Sequence, residues 1–510
     1  MTVTLATFME ILDTSIANVS IPHIAGGLSA SYDESTWILT SYLVSNAIVL
    51  PLSGWLATMM GRKRFYMCCV LLFTASSAMC GFAQSLGTLV LFRIFQGAAG
   101  GGLGPSEQAI LADTFPPEQF GMAFALYGMA VVLAPAIGPT LGGWITDNYD
   151  WRWIFFINVP VGILSLFLSY RIVEDPPYLM KQMQLERRAG LNIDYIGLAL
   201  IVTGTGALQV VLDKGQREDW FDSVFITTFT VIAVAGILTF VLWEWNRERP
   251  IVDVRMFREP TFAIANFMLF MLGFILYGST TILPQFMQEM LGYSAQQSGM
   301  ALSPGGFAIM FTLPIVGYLS GRVDGRWLIA LGLVTTALSV YNMTSLNLQV
   351  DFRTMVLYRI YQSVGLAFLF IPINTMAYVG VPAEKNNQVS GMVNLTRNIG
   401  GSVGISIVQT LLVRRTQARQ DVLSVHTTNY DLPFTRSIQG LAGLYFNSGT
   451  SHADAAHLSL AQMYGVMQRQ ASMLAYIDVF WFFAIGSITI MPLILLMKKN
   501  EPGAGPMGAH

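Results

Sequence analysis

LFRIFQ (residues 91–96) is a greasy hexapeptide with an arginine at its centre, and 266 positions later the chain writes LYRIYQ (residues 357–362). Two further segments keep nearly the same spacing. FPPEQ (115–119) returns at the same offset as VPAEK (381–385), aligning Pro116 with Pro382 and Glu118 with Glu384. GWLATMMGRKR (54–64) is echoed by GYLSGRVDGR (317–326) at an offset of 263. Three collinear matches indicate an internal duplication, so the buried arginine is repeated because the half that carries it is repeated.

The surroundings of these repeats fix the solvent. Hydrophobic residues make up 53% of the 510-residue chain and charged ones only 11%, a composition foreign to soluble domains. Apolar runs of roughly 20 residues recur from end to end, each about the length that crosses a ~30 Å hydrocarbon core as a helix. Lipid offers no hydrogen-bond partners, and the period-two alternation of a barrel is missing, so the spans are helices. They begin near Leu5, Trp37, Tyr66, Thr88, Met122, Trp153, Asp194, Ser223, Phe262, Ser298, Arg326, Thr354, Val389 and Tyr476, fourteen in all. The first lacks a cationic leader and a small-residue cleavage site, and is expected to stay in the protein.

The expected fold is therefore an all-α polytopic membrane protein. The repeat period is too long for six helices of ~20 residues with short loops, so the spans near 194–213 and 223–244 read as an insertion. The resulting plan is a six-helix bundle over 1–173, two inserted helices over 194–244, a second six-helix bundle over 261–497, and a tail over 498–510 that reads as disordered. Parallel halves of this kind are a transporter architecture with the substrate site near the midplane. Lys and Arg place both termini in the cytoplasm: sixteen fall in inside loops and four (Arg152, Lys214, Arg217 and Arg353) in short outside loops. The long 414–470 segment then faces outside, as either a docking surface or a solvated cap.

Other function classes find little to stand on. A net charge of −2 gives no reason to expect a nucleic-acid partner. Cys68, Cys69 and Cys80 share one span and imply no disulfide framework. The chain has no HExxH, phosphate-binding GxxxxGK[ST] or nucleophile-elbow motif, so it is read as neither an enzyme nor a cofactor protein, and any pumping must run on an ion gradient.

Buried charge carries the chemistry, because an ionisable group at mid-membrane costs about 3 kcal/mol or more and usually faces a polar cavity. The candidates are Glu10, Asp13, Arg93, Glu107, Arg359, Arg397 and Asp478. Glu10 and Asp13 share a face of the first helix, and one of two such close carboxylates is expected to hold a proton. Arg93 and Glu107 also share a face, with Gln96, Gly100 and Gly104 between them. Asp13 is the first choice for the proton site and Glu107 the second, with Glu10 beside them and Arg93 as a fixed cation. Arg359 is expected to be mainly structural and Asp478 solvated. Phe8, Gln96, Tyr127, Phe267, Phe274, Tyr361 and Gln362 are the expected cavity residues, suited to hydrophobic compounds.

Several motifs resemble the major facilitator superfamily. GWLATMMGRKR resembles its loop between the second and third helices, LFRIFQG its fourth-helix arginine motif, and GMAVVLAPAIGPTLGG (128–143) its antiporter motif. ATFMEILDTSIANVSIP (6–22) and WRWIFFINVPVG (151–162) are similar to signatures of its fourteen-helix drug:proton antiporter branch, the EmrB/QacA type. The resemblance implies a proton-driven multidrug exporter of the bacterial inner membrane, or an exporter of one endogenous or lipid-like compound by the same antiport. It also implies gating by Gly54, Gly61, Arg62, Arg64 and Asp113, and a shaped fifth helix set by Pro135, Gly138, Pro139 and Gly142. Implied partners are protons, small hydrophobic substrates, membrane lipids, a periplasmic EmrA-like adaptor and a TolC-like outer-membrane channel. Thr58 stands where the loop motif usually carries an acid.

Overall fold

The computed structural model describes residues 2–116, 119–180, 194–247, 250–425, 427–428 and 430–497. Lys181, Arg187, Arg188, Arg249, Lys498 and Lys499, counted above for orientation, lie outside the described residues, as do Glu118 and the 498–510 tail.

Every expected span is a helix, and no strand occurs among the described residues. We label the spans α1 (Thr4–Gly27), α2 (Trp37–Met60), α3 (Arg62–Gly81), α4 (Leu86–Thr114), α5 (Phe120–Asn148), α6 (Trp153–Ile172) and α7 (Tyr195–Lys214). The rest are α8 (Val224–Trp245), α9 (Pro260–Glu289), α10 (Ala295–Ser320), α11 (Gly325–Met343), α12 (Phe352–Ala377), α13 (Asn386–Ser424) and α14 (His452–Thr489). Among the described residues ten helices are long and apolar enough to cross a membrane, or eleven when the two bent parts of α5 count as one span. Helices α1, α11 and α13 do not pass on composition: α1 carries Glu10 and Asp13, and α13 is rich in Asn, Gln and Arg. They are nevertheless sandwiched among the apolar spans.

Sequence sets the ends of these helices locally. Ser85 and Ser294 form capping boxes at the starts of α4 and α10, satisfying donors that a helix terminus leaves free. Gly61 joins α2 to α3 at φ +91°, a left-handed conformation open to glycine and strained for other residues. Helix α5 bends by 42° where Pro135 withdraws its N–H from the ladder.

Helix packing repeats itself. In the first six helices α1 lies on α5, α2 on α4, α3 on α4 and α3 on α6; in the last six α9 lies on α13, α10 on α12, α11 on α12 and α11 on α14. Contacts between the two sets are also exchange-symmetric, with α2 against α13 and α5 against α10. Helices α7 and α8 pack on each other, and α7 leans on α2 and α13 together. Its Asp213 holds Thr40 of α2 and its Lys214 holds Thr36 just before that helix, while its Gln209 accepts from Ser402 of α13 at 3.1 Å.

The 414–470 segment corrects the expectation of a loop. Helix α13 runs on to Ser424, α14 starts at His452, and a separate helix, Leu432–Asn447, lies between them against α14. Polar side chains cover much of these helices, so hydropathy misses helix that the backbone continues to form. IQGLAGLYF lies on that outer helix, and Asp478 is paired with Arg419 at 2.7 Å.

Candidate coupling and gating sites

Asp13 and Arg93 meet in the first half. Helix α1 presents Asp13 to α4, where Arg93 Nη1 donates to Asp13 Oδ2 at 2.5 Å. Gln96 Nε2 and Asn158 Nδ2 donate to Asp13 Oδ1 at 3.0 and 2.7 Å. Arg93 also donates to the Ile38 carbonyl at 3.2 Å and to Gln96 Oε1 at 2.8 Å. Its guanidinium stacks 4.2 Å from the Tyr42 ring, and its side chain is 0% exposed. A buried pair with this many hydrogen bonds offsets the desolvation of both ions, and removing either partner strands the other. Asn158 is a member that the charge inventory passes over, although the quoted WRWIFFINVPVG contains it.

Glu10 and Glu107 lie apart from that pair. Tyr42 Oη and Asn46 Nδ2 each donate to Glu10 Oε1 at 3.1 Å. Glu107 is fully buried on α4, and neither of its carboxyl oxygens has a hydrogen-bond partner among the described residues.

The second arginine of the repeat sits differently. Arg359 donates to Gln362 Oε1 at 2.7 Å, repeating the Arg93–Gln96 contact, yet no carboxylate pairs with it among the described residues. The structure brings Gln96, Tyr127 and Gln362 onto buried arginines. It does not bring the other expected cavity residues there. Phe267 and Tyr361 are 44% and 53% exposed, Phe274 packs on Phe483 of α14, and Phe8 packs beside Leu12 and Phe155.

At one end of the bundle, by the loop between α2 and α3, Arg62 and Asp113 form a nearly buried ion pair. Arg62 Nη1 also donates to the Ala109 carbonyl at 2.9 Å, and Tyr178 Oη donates to Asp113 Oδ2 at 2.5 Å. Three bonds cross between the halves here, two of them to charged partners: Arg62 Nε donates to Asn387 Oδ1 at 2.8 Å, and Asn386 Nδ2 donates to Asp113 Oδ1 at 2.7 Å. Thr58 accepts a longer bond from Asn387 Nδ2 at 3.4 Å. Arg64, another of the residues implied in gating, is exposed and takes no part. Gly54 lets α13 approach, since a Cβ there would lie 2.6 Å from the Asn387 carbonyl oxygen. Tyr178, Asn386 and Asn387 lie outside the quoted loop motif, which is why spacing alone does not find them.

The antiporter-like stretch joins α5 to α1. A Cβ on Gly138 would lie 2.3 Å from Ser15 Oγ, one on Gly142 3.0 Å from Ile16, and the Pro135 carbonyl accepts from Ser15 at 3.4 Å. Pro139 lies four residues past the bend.

Comparison with known proteins places this arrangement. The chain is 35% identical to a Multidrug export protein EmrB of Haemophilus influenzae over 97% of this chain and 94% of that protein. It is 34% identical to the Fatty acid resistance protein FarB of Neisseria gonorrhoeae, over 99% of this chain and 96% of that protein. Its fold matches the proton:xylose symporter XylE with a TM-score of 0.53 at 14% identity, covering 93% of this chain and 94% of that one. The description of the Major Facilitator Superfamily matches residues 3–405, in keeping with the repeated helix packing, and the chain belongs to that superfamily.

Proposed function

We propose that the chain is a multidrug exporter that moves hydrophobic toxic compounds out of the cytoplasm in exchange for entering protons. The observation that carries this reading is the buried Asp13–Arg93 pair. A proton arriving on Asp13 removes its charge and with it the attraction that ties α1 to α4, so proton binding acts on helix packing. Glu107, fully buried beside the Thr4 and Thr7 hydroxyls of α1, is the second carboxylate on which a proton can travel. The inner cluster of Arg62, Asp113, Asn386 and Asn387 holds the cytoplasmic ends of the halves together and must break once per cycle.

The name of the H. influenzae relative supports multidrug export and a transporter rather than an enzyme. The repeated packing supports the division into two six-helix halves with an inserted pair. Loop charge favours cytoplasmic termini in a bacterial inner membrane. The outward run of α13, α14 and the helix between them is the surface proposed to meet a periplasmic adaptor, which in turn would engage an outer-membrane channel. Export of a lipid-like compound is the second reading, favoured by the name of the N. gonorrhoeae relative.

The test is export of a hydrophobic fluorescent dye from proteoliposomes under an imposed pH gradient. The parent chain is expected to export dye and Asp13→Asn to stop doing so while remaining folded. Full export by the variant at every pH refutes the assignment.

A further inference from the structure

Among the described residues four arginines are buried, and two of them, Arg62 and Arg93, are held by carboxylates. Arg397 is not. It lies on α13 where the second half faces α5 of the first, and it is 4% exposed. Nη2 donates to Tyr127 Oη at 2.9 Å and to Asn394 Oδ1 at 2.6 Å, while Tyr127 Oη itself donates to Asn394 at 2.9 Å. Asn394 is fixed by donating to Gln108 Oε1 and to the Ser390 carbonyl, each at 2.8 Å. Nε and Nη1 make no hydrogen bond of good geometry among the described residues, although the Tyr277 hydroxyl lies within interaction range of the guanidinium. A guanidinium carries five N–H donors, so the two bonds at Nη2 leave most of the group idle.

An idle buried cation is expensive unless something else neutralises it. Glu10 is the carboxylate whose field reaches Arg397, yet it makes no ion pair with it, and its bonded oxygen is held by Tyr42 and Asn46 in its own half. The remaining surroundings are aromatic: the guanidinium carbon lies 5.6 Å from the Tyr127 ring and 5.7 Å from the Phe370 ring, with Tyr277 beside it. Tyr127 and Asn394 orient the cation, Tyr277 brings a hydroxyl near it, and the rest of the group lies among aromatic rings.

We propose that Arg397 is the anion subsite of the substrate path, taking the carboxylate or equivalent oxyanion of an amphipathic compound whose apolar body lies along Tyr127, Tyr277 and Phe370. The inference rests on the export reading for its physiological meaning, whereas the binding chemistry stands by itself. It also gives Glu10 a part, since a carboxylate facing the same cation repels a bound anion.

Purified full-length protein in phosphatidylcholine nanodiscs is titrated with decanoate, decanamide and decyltrimethylammonium, following tryptophan fluorescence. Decanoate is expected to bind about tenfold or more tighter than decanamide, the scale of a charge-assisted hydrogen bond. Arg397→Gln is expected to erase that preference with decanamide binding unchanged, Arg397→Lys to keep part of it, and Glu10→Gln to strengthen it. Equal affinity for acid and amide in the parent, or loss of all three ligands together in Arg397→Gln while Arg397→Lys behaves as the glutamine variant, overturns the proposal. Displacement of decanoate by phosphatidylglycerol nanodiscs assigns the subsite to a lipid headgroup and overturns the substrate assignment. Proton-driven ethidium export is measured on the same preparations: no export with the decanoate preference intact refutes the export reading alone, and export without the preference refutes the subsite alone.

Discussion

With the orientation proposed above, removing the two asparagines that bridge the halves beside Arg62 and Asp113 should open the cytoplasmic side. In the parent, Arg62 Nε donates to Asn387 Oδ1 at 2.8 Å and Asn386 Nδ2 donates to Asp113 Oδ1 at 2.7 Å, so each bridge has one charged partner. Asn386→Ala with Asn387→Ala removes both and leaves the Arg62–Asp113 pair intact, so no buried ion is stranded. Each charge-assisted bond is worth about 1.5 kcal/mol at the low end, so the pair holds the closed state by about 3 kcal/mol, a factor of about 150. If the parent populates the inward-open state at about 1%, as minor states commonly are, the double variant populates it at about 60%. Spin labels at Met60 and Glu384, both exposed near the inner ends, report this by pulsed electron resonance as a new long-distance component. A distance distribution identical to the parent's refutes the claim that these bonds hold the cytoplasmic side closed.

Arg93→Ala strands Asp13 in a buried site and should cost about 3–5 kcal/mol, visible as a large fall in melting temperature together with loss of coupling. Arg359→Ala removes only the bond to Gln362 and should cost about 1 kcal/mol or nothing, so equal melting curves for the two variants would refute the asymmetry. Gly138→Val drives a side chain into Ser15 and should destabilise the α1–α5 contact by about 1–3 kcal/mol, read as a lower melting temperature; a parent-like curve counts against the close approach. Replacing residues 425–451 with a short flexible linker should spare ligand binding by purified protein and remove resistance in cells, and intact resistance would refute the docking role.

How far the sequence carries depends on the kind of signal. Hydropathy and length locate a helix at each expected span, because burial in lipid demands an unbroken apolar helix whatever its neighbours. The LFRIFQ repeat makes the doubled plan readable, and it puts Arg93 and Arg359 at matching places. Pairing is harder. Asp13 and Arg93 are 80 residues apart, and helical spacing tells which face each occupies without telling which helix stands opposite. Thus the matching places of Arg93 and Arg359 do not reveal that, among the described residues, one copy pairs with a carboxylate and the other does not. The inner cluster draws Asn386, Asn387 and Tyr178 from segments with no charge pattern to mark them. Outside the hydrocarbon the hydropathy signal fails, and the helices there read as a loop because their faces meet water.

Helix α13 has a mechanical consequence. Its 39 residues form one helix from Asn386 to Ser424, about 58 Å at 1.5 Å per residue, with the gate asparagines at its foot, Arg397 along its shaft and its outer end against the helices beyond the bundle. A rod of that length is a lever: rocking the second half by about 10° about the gate sweeps the outer tip sideways by about 10 Å, within the reach of rigid-body transitions. Whatever holds the tip therefore feels which way the inner door stands, and load applied there is load on the door.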